Sequence, residues 1–279
     1  MLLEAFLDSI KDTLIALPFL FGAYLLMEAL ERHSEVLAGK LFSKGEYLGP
    51  LFGSVMGLIP QCGFSAAMSN LYVGGVIRAG TLISVFIATS DEAVLIMLSS
   101  PGAAGEVWKL LLAKLVIGIV FGYILNFIFR SKGGKNIGDI CTDEHCGCEE
   151  SRGIVRPAVI HTAKILGWIF GISFALNIII SLIGEENLSV LLGGNVFFQP
   201  LITALLGLIP NCAVSVLFTQ LYIAGGLNFA STVAGLCSGA GLGLIVLFKM
   251  NRNKKECFLI TALLYICSAL GGLALNLIM

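Results

Sequence analysis

Two cysteines that follow a proline inside long apolar runs are the first residues of this sequence that could bind an ion. The first run contains Gly57-Leu-Ile-Pro-Gln-Cys62, and the second contains Gly207-Leu-Ile-Pro-Asn-Cys212. Thiolate sulfur prefers soft ions such as Zn²⁺, Cu⁺ or a thiophilic metalloid. We therefore predict that the two thiols and the amides before them bind the substrate: Cys62, Cys212, Gln61 and Asn211. Cys237, in a later apolar run, is a third candidate sulfur ligand.

Each of the first two cysteines lies where a helix must break. Proline removes a backbone donor and clashes with the preceding turn, so we expect breaks at Pro60, just before Gly63, and at Pro210. A bilayer tolerates the exposed polar backbone of a broken helix only where it is buried in protein or lines a cavity. Two breaks in corresponding positions of two halves point to the binding site of a transporter.

Two adjacent carboxylates, Asp91 and Glu92, lie inside the apolar run 81–99. A charged side chain at the centre of a bilayer costs ~2.5–3.5 kcal/mol on insertion scales, so such residues normally mark ion paths or proton relays. We predict that Asp91 and Glu92 take part in substrate binding and in proton coupling. A structural ion pair with Lys109 or Lys114 on the next helix is the alternative interpretation.

A polar stretch in the middle of the chain holds three cysteines and a histidine among acidic residues. Its Cys-x4-Cys-x-Cys spacing is tighter than the usual zinc motifs, so a solvated acidic loop with incidental thiols is one interpretation. Metal capture on the cytoplasmic side is the other, and we predict these metal ligands: Cys141, His145, Cys146 and Cys148.

The composition indicates a polytopic membrane protein. Hydrophobic residues make up 57% of the chain and charged residues 13%, with a mean hydropathy of +0.94, whereas soluble domains carry roughly 25% charged residues. The net charge of -1 says nothing about nucleic-acid binding, but no basic stripe occurs outside the loops, so we expect no nucleic-acid partner. The N-terminal segment 1–11 is acidic and lacks both the basic region and the small-residue cleavage site of a signal peptide, so we expect a retained first segment.

An internal repeat divides the chain. Beyond the Gly-Leu-Ile-Pro motif and its cysteine, further residues recur 150 positions later as the same type, among them Pro50, Ser65, Tyr72 and Gly75, which become Pro200, Ser215, Tyr222 and Gly225. Self-similar halves are typical of transporters. We predict an N-terminal membrane repeat over 1–130, a cytoplasmic loop over 131–156 and a C-terminal membrane repeat over 157–279.

The distribution of Lys and Arg predicts the topology. If each broken run is a hairpin with its tip at the proline, the basic segments 130–156 and 249–255 lie on one side of the membrane; if each run crosses once, they lie on opposite sides. Short basic loops remain cytoplasmic, so we predict hairpins. The fold class is then an all-α polytopic protein of the cytoplasmic membrane, with two inverted repeats whose broken hairpins meet near the bilayer midplane.

The repeated Gly-Leu-Ile-Pro-[Gln/Asn]-Cys motif, the segment Ala88-Thr-Ser-Asp-Glu-Ala93 and the Cys/His-rich central loop together resemble a known family. It is the family of ten-transmembrane heavy-metal exporters, a branch related to arsenic-efflux permeases, some members of which are called manganese transporters. The resemblance covers essentially the whole chain and implies efflux of a heavy metal or metalloid. The count of ten suits five elements per half, with each hairpin limb counted separately.

Three functions remain open at this point. The first is a secondary transporter that exports a thiophilic metal or metalloid and is coupled to proton entry through Asp91; no Walker motif is present. The second is manganese transport, in which carboxylates and backbone carbonyls bind the ion and the thiols are incidental. The third is a membrane thiol oxidoreductase, against which stands the lack of any Cys-x-x-Cys. We expect a non-enzyme without a resident cofactor whose partners are the bilayer and the transported ion, and a homo-oligomer is left open.

Overall fold

Helices account for all the regular secondary structure in the part of the chain that the computed structural model describes. That part comprises residues 48–58, 62–89, 93–100, 102–129 and 197–278, together with isolated positions between 10 and 22 and between 159 and 174. The predicted loop 131–156 lies outside it. No strand occurs among the described residues, so the all-α prediction is confirmed.

The described helices fall into two similar series. The first series contains α1 (Leu48–Gly57), α2 (Cys62–Val73), α3 (Ala79–Ala88), α4 (Ala93–Ser99), a 3₁₀ turn (Ala104–Glu106) and α5 (Val107–Ile128). The second series contains α6 (Gln199–Gly207), α7 (Cys212–Ile223), α8 (Phe229–Ser238), α9 (Leu242–Met250) and α10 (Lys254–Ile278). The ends of α2 and α7, and those of α3 and α8, are 150 positions apart, the same spacing as the repeated residues.

The same turn ends α2 and α7, and the repeated glycines explain why. Gly75 and Gly225 have φ angles of 75° and 78°, a region that favours glycine because it has no Cβ. In the second half the amide of Gly225 donates to Tyr222 at 3.0 Å and that of Gly226 to Leu221 at 2.8 Å. This is a Schellman turn, which satisfies the last carbonyls of the helix.

Four helical stretches are long and apolar enough to cross a membrane: Ala79–Leu98, Ala104–Ile128, Phe229–Met250 and Lys254–Ile278. Two further apolar helices are shorter, Leu48–Gly57 and Ala213–Ile223. At ~1.5 Å per residue, α7 spans only ~18 Å, well short of the ~30 Å hydrocarbon core. The long helices confirm a multi-pass membrane protein, whereas the short ones do not reach across the hydrocarbon core.

Two interruptions without proline were not predicted. The run 81–99 suggests one helix, but α3 ends at Ala88 and α4 begins at Ala93. In the second half α8 ends at Ser238 and α9 begins at Leu242, with Gly241 between them at φ 52°. Glycine permits this left-handed conformation, so the chain can turn here although no proline is present.

The centre of the molecule is built from α3 and α8, and the long helices pack outside them. Leu82, Phe86 and Val233 are fully buried, whereas the outer helices α5 and α10 expose large apolar side chains such as Phe127 and Leu277. Within each half, α3 packs against α5 and α8 against α10. The exposed apolar surface of the outer helices is the surface that a bilayer would cover.

The two halves of the chain contact each other through their short helices. α2 packs against α9, and α7 packs against α4, so the second limb of each predicted hairpin contacts the other half of the chain. The segment that follows each proline break therefore lies against the other repeat as well as against its own.

Candidate functional site

In each half, a glycine three positions before the proline sets how closely the limb before the break can pack. α6 ends at Gly207, and a Cβ on that glycine would lie 2.2 Å from the carbonyl oxygen of Gly235. In the first half a Cβ on Gly57 would lie 2.9 Å from the carbonyl oxygen of Val85. The glycine of each motif therefore lets the limb before the proline approach the central helix α3 or α8.

Asn211 begins the limb after the second break. Its Oδ1 accepts a hydrogen bond from the amide of Ala213 at 2.8 Å, and the side chain is buried. An N-cap of this kind satisfies one of the orphan amide donors at the start of a helix. The sequence predicted Asn211 as a substrate ligand, and the structure adds a capping role for its Oδ1.

Both predicted thiols belong to the first residue of a helix. Cys62 begins α2 and Cys212 begins α7; their side chains lie outside the described part of the structure. Gly63 is buried in the first turn of α2. The first-half residues Pro60 and Gln61 also lie outside the described part, whereas Pro210 is partly exposed beside Asn211.

The helix that begins at Cys62 packs on the interruption between α8 and α9. Ser65 Oγ donates to the carbonyl oxygen of Ala240 at 3.0 Å, and Ser69 Oγ donates to that of Gly243 at 2.7 Å. A Cβ on Gly243 would lie 3.0 Å from the side chain of Ser65. The start of α2 from one half and the α8–α9 interruption from the other half are therefore brought together.

Cys237 lies next to this junction. It is fully buried near the end of α8, and its thiol is free. Two other buried cysteines are described, Cys257 and Cys267, both on α10. The Sγ atom of Cys257 lies 3.5 Å from the carbonyl oxygen of Leu247. Of these three thiols, only Cys237 adjoins a helix interruption.

Lys114 is a buried charged residue that the sequence suggested only as a structural partner of Asp91 or Glu92. It lies on α5 with 1% of its surface exposed. Its Nζ donates to the carbonyl oxygen of Leu236 at 2.9 Å and also to that of Thr89. A lysine in the second turn of the apolar helix α5, away from its charged start at Glu106 and Lys109, was the available signal, since an intramembrane ionisable residue is a functional-site hypothesis by default.

The two predicted carboxylates fall in the interruption between α3 and α4. Asp91 and Glu92 lie outside the described residues, but the flanking Thr89 and Ala93 are both buried. Thr89 is the residue that Lys114 contacts, whereas Lys109 lies near the surface and forms an ion pair with Glu106 at 3.4 Å. Of the two lysines named as structural partners for the carboxylates, Lys114 is therefore the one that contacts the chain just before them in sequence, at Thr89.

Two hydrogen bonds join the halves away from the central junction. Tyr72 donates through its hydroxyl to Glu256, and Tyr222 donates in the same way to Glu106. The sequence did not single out either glutamate. Both pairs follow the repeat, because Tyr222 and Glu256 lie 150 positions after Tyr72 and Glu106.

No group of three or more His, Cys, Asp or Glu residues that could hold a metal ion occurs among the described residues. The predicted loop ligands lie outside that part of the chain: Cys141, His145, Cys146 and Cys148. The described site instead consists of helix ends, serine hydroxyls, one thiol and one ammonium group.

The sequence matches the model of a known protein family. Residues 2–173 match the family described as "Putative, 10TM heavy-metal exporter", which confirms the resemblance carried by the motifs. No curated protein and no solved structure was found to match the chain. Because the family match covers more than half of its residues, the chain belongs to this family of ten-transmembrane heavy-metal exporters.

Proposed function

We propose that the chain is a secondary transporter that exports a thiophilic heavy metal or metalloid across the cytoplasmic membrane and is coupled to proton entry. The observation that carries the proposal is the junction of the α2 start with the α8–α9 interruption. There the hydroxyls of Ser65 and Ser69 bond to backbone carbonyls of the other half. Interrupted helices from two repeats that meet inside a membrane are the usual location of a transporter's binding site.

Sulfur is the substrate ligand in this proposal. Cys62 begins the helix that enters the junction, and the buried thiol of Cys237 belongs to the helix that ends there. Cys212 holds the position in α7 that Cys62 holds in α2. Soft thiolates select soft ions, so arsenite, Cd²⁺ and Zn²⁺ are the substrates to test first.

An inverted arrangement of the two halves is part of the proposal, and three contacts support it. A Cβ on Gly80, at the start of α3, would lie 2.4 Å from the carbonyl oxygen of Gly122, near the end of α5. The turn after α2 therefore lies at the C-terminal end of α5, and Tyr72 there bonds to Glu256 at the start of α10. The matching turn after α7 lies at the other end of α5, where Tyr222 bonds to Glu106.

The basic residues then assign the cytoplasmic side. The end of the molecule that contains Tyr72 also holds most of the described basic residues: Arg78, Lys249, Arg252, Lys254 and Lys255. Lys109, paired with Glu106, lies at the opposite end. By the positive-inside rule the end with Tyr72 is cytoplasmic, and the central loop, which follows α5 at that end, is cytoplasmic with it.

Proton coupling is assigned to the carboxylates between α3 and α4. Asp91 and Glu92 stand between the buried residues Thr89 and Ala93, in the middle of the Ala79–Leu98 stretch. Protonation from outside weakens substrate binding, and proton release to the cytoplasm restores it. Each cycle then exchanges a proton that enters for a substrate that leaves.

Manganese export is the second candidate, in which carboxylates and carbonyls replace the thiols as ligands. Hard oxygen ligands suit Mn²⁺, and helix ends supply carbonyl oxygens at the junction. Two of those oxygens, on Thr89 and Leu236, already accept hydrogen bonds from Lys114. This engagement favours the thiol-based site over the manganese site.

The test is the metal sensitivity of cells that lack this chain and of cells that express it. Growth is compared across arsenite, organoarsenicals, Mn²⁺, Zn²⁺ and Cd²⁺. We expect expression to raise tolerance of a soft species and to leave Mn²⁺ tolerance unchanged. Protection against Mn²⁺ alone would replace the thiol-based proposal with the manganese one.

A further inference from the structure

Lys114 is a buried charge held by backbone carbonyls of both halves of the chain. Its Nζ donates to Thr89, just after α3, and to Leu236, in the last turn of α8, the latter at 2.9 Å. The side chain is 1% exposed. A charge in this position is costly unless its hydrogen bonds are satisfied, and the contacts with both helix ends satisfy two of them.

Both acceptor carbonyls lie at the C-terminal end of a helix. The last four carbonyls of a helix have no intrahelical donor and carry a partial negative charge. The amide of Ala240, which would otherwise continue the ladder to Leu236, donates to Ser238 at 2.9 Å. In other transporters with interrupted helices, such carbonyls coordinate a Na⁺ ion or a proton carrier.

The repeat supplies an internal comparison. The counterpart of Lys114 in α10 is Leu264, which is equally buried. A long helix in this position therefore packs on its neighbours without an ammonium group. The charge at Lys114 is not a requirement of helix packing in the repeat, and it acts at the joint where α3 of one half meets α8 of the other.

We infer that Lys114 is a tethered cation that fills the carbonyl site formed by the ends of α3 and α8. A free monovalent cation would otherwise occupy this site. Lys114 is thus a positioning residue that holds the two helix ends together, and the transporter needs no Na⁺ there. The role of Lys114 in transport rests on the proposed function, whereas the occupation of the carbonyl site by its ammonium group does not.

The experiment replaces the tethered ammonium with a free one. Purified full-length protein with Lys114→Ala is melted in n-butylammonium chloride and in an equal concentration of choline chloride, whose quaternary ammonium group has no N–H to donate to a carbonyl. We expect a lower melting temperature than wild type in choline and recovery of most of the loss in butylammonium. Lys109→Ala, an exposed lysine on the same helix, is the control and should not respond.

Lys114→Met refines the comparison because methionine fills the space but carries no charge. We expect this variant to be destabilised and not to recover in butylammonium. A Lys114→Ala variant as stable as wild type, or one that butylammonium does not rescue, would overturn the tethered-cation role.

Wild-type protein gives a second measurement that does not depend on a variant folding. Its melting temperature should be the same in NaCl and in N-methylglucamine chloride, because the carbonyl site is already filled. A rise specific to Na⁺ would overturn the inference. Arsenite uptake into inside-out proteoliposomes is measured in parallel: its absence would count against the proposed function and leave the melting results to decide the role of Lys114.

Discussion

The hydroxyl of Tyr72 donates a hydrogen bond to the carboxylate of Glu256, 184 positions away in the chain. Tyr222 and Glu106 repeat this contact at the other end of the molecule. Each bond joins the end of a short helix in one half to the start of a long helix in the other half. Both bonds are present in this structure, so the two halves contact each other at both ends of the molecule.

We predict that Tyr72→Phe and Tyr222→Phe each lower the stability of the purified protein. A hydrogen bond to a charged group contributes about 1.5–3 kcal/mol, and its loss leaves a partly buried carboxylate without that donor. Melting in detergent measures the change. Tyr265→Phe is the control, because no hydrogen bond of its hydroxyl is described within α10 or to its neighbours. A double variant with Glu256→Gln should lose little more than Tyr72→Phe alone, and simple additivity would contradict the pairing.

A second prediction concerns the glycines before the prolines. Gly207→Ala should destabilise the protein by about 1–3 kcal/mol through overpacking, because its Cβ would lie 2.2 Å from backbone of α8. Gly57→Ala should act in the same direction, with its closest approach at 2.9 Å. Gly105→Ala is the matched control, since nothing lies within 4 Å of its added Cβ. Equal melting temperatures for all three variants would contradict the close packing of the first limbs.

The sequence allowed the membrane class, the repeat and the two proline breaks to be predicted, because each depends on local chemistry or on residues that recur. Gly57 and Gly207 could be found in the same way, although their role as contact points could not. The interruptions at Ala88 and Ser238 were missed, since no proline marks them and the runs read as continuous apolar helices. Contacts such as Ser65 to Ala240 join residues far apart in the chain, and no local pattern predicts them.

Topology can be tested with an impermeant thiol reagent on intact cells. We predict that Asn187→Cys is labelled, because this position should face outside, and that Cys146 is not, because the basic central loop should be cytoplasmic. Arg252→Cys, in the exposed turn between α9 and α10, should also be protected until the cells are permeabilised. Labelling in the opposite sense would reject both the orientation and the inverted relation of the halves.

Export should depend on the thiols at the helix breaks and not on thiols in general. We predict that Cys62→Ser and Cys212→Ser each abolish tolerance of a soft substrate such as arsenite, because oxygen binds soft ions poorly. Cys267→Ser is the control, since that cysteine is buried within α10, away from any helix end. If the variant that lacks both thiols protects cells as well as wild type does, sulfur is not the ligand and the manganese proposal gains support.

The last prediction concerns the coupling of export to protons. Asp91 follows the buried Thr89 and precedes the buried Ala93 in the sequence, and ionisable residues in membrane segments commonly act as proton relays. Asp91→Asn keeps the shape of the side chain but cannot titrate. We therefore expect a protein that folds and still binds substrate but does not drive export against a gradient. Glu92→Gln is the matched comparison, because it removes the titration of the neighbouring carboxylate in the same segment.

The measurement is substrate accumulation in inside-out vesicles with an imposed pH gradient, before and after an uncoupler. Wild type should accumulate arsenite and lose it when the uncoupler is added, whereas Asp91→Asn should equilibrate without accumulation in either condition. An Asp91→Asn protein that accumulates substrate and responds to the uncoupler as wild type does would show that another group carries the proton. If Glu92→Gln then fails to accumulate, the coupling residue is Glu92, and the proton path still runs through the segment between α3 and α4.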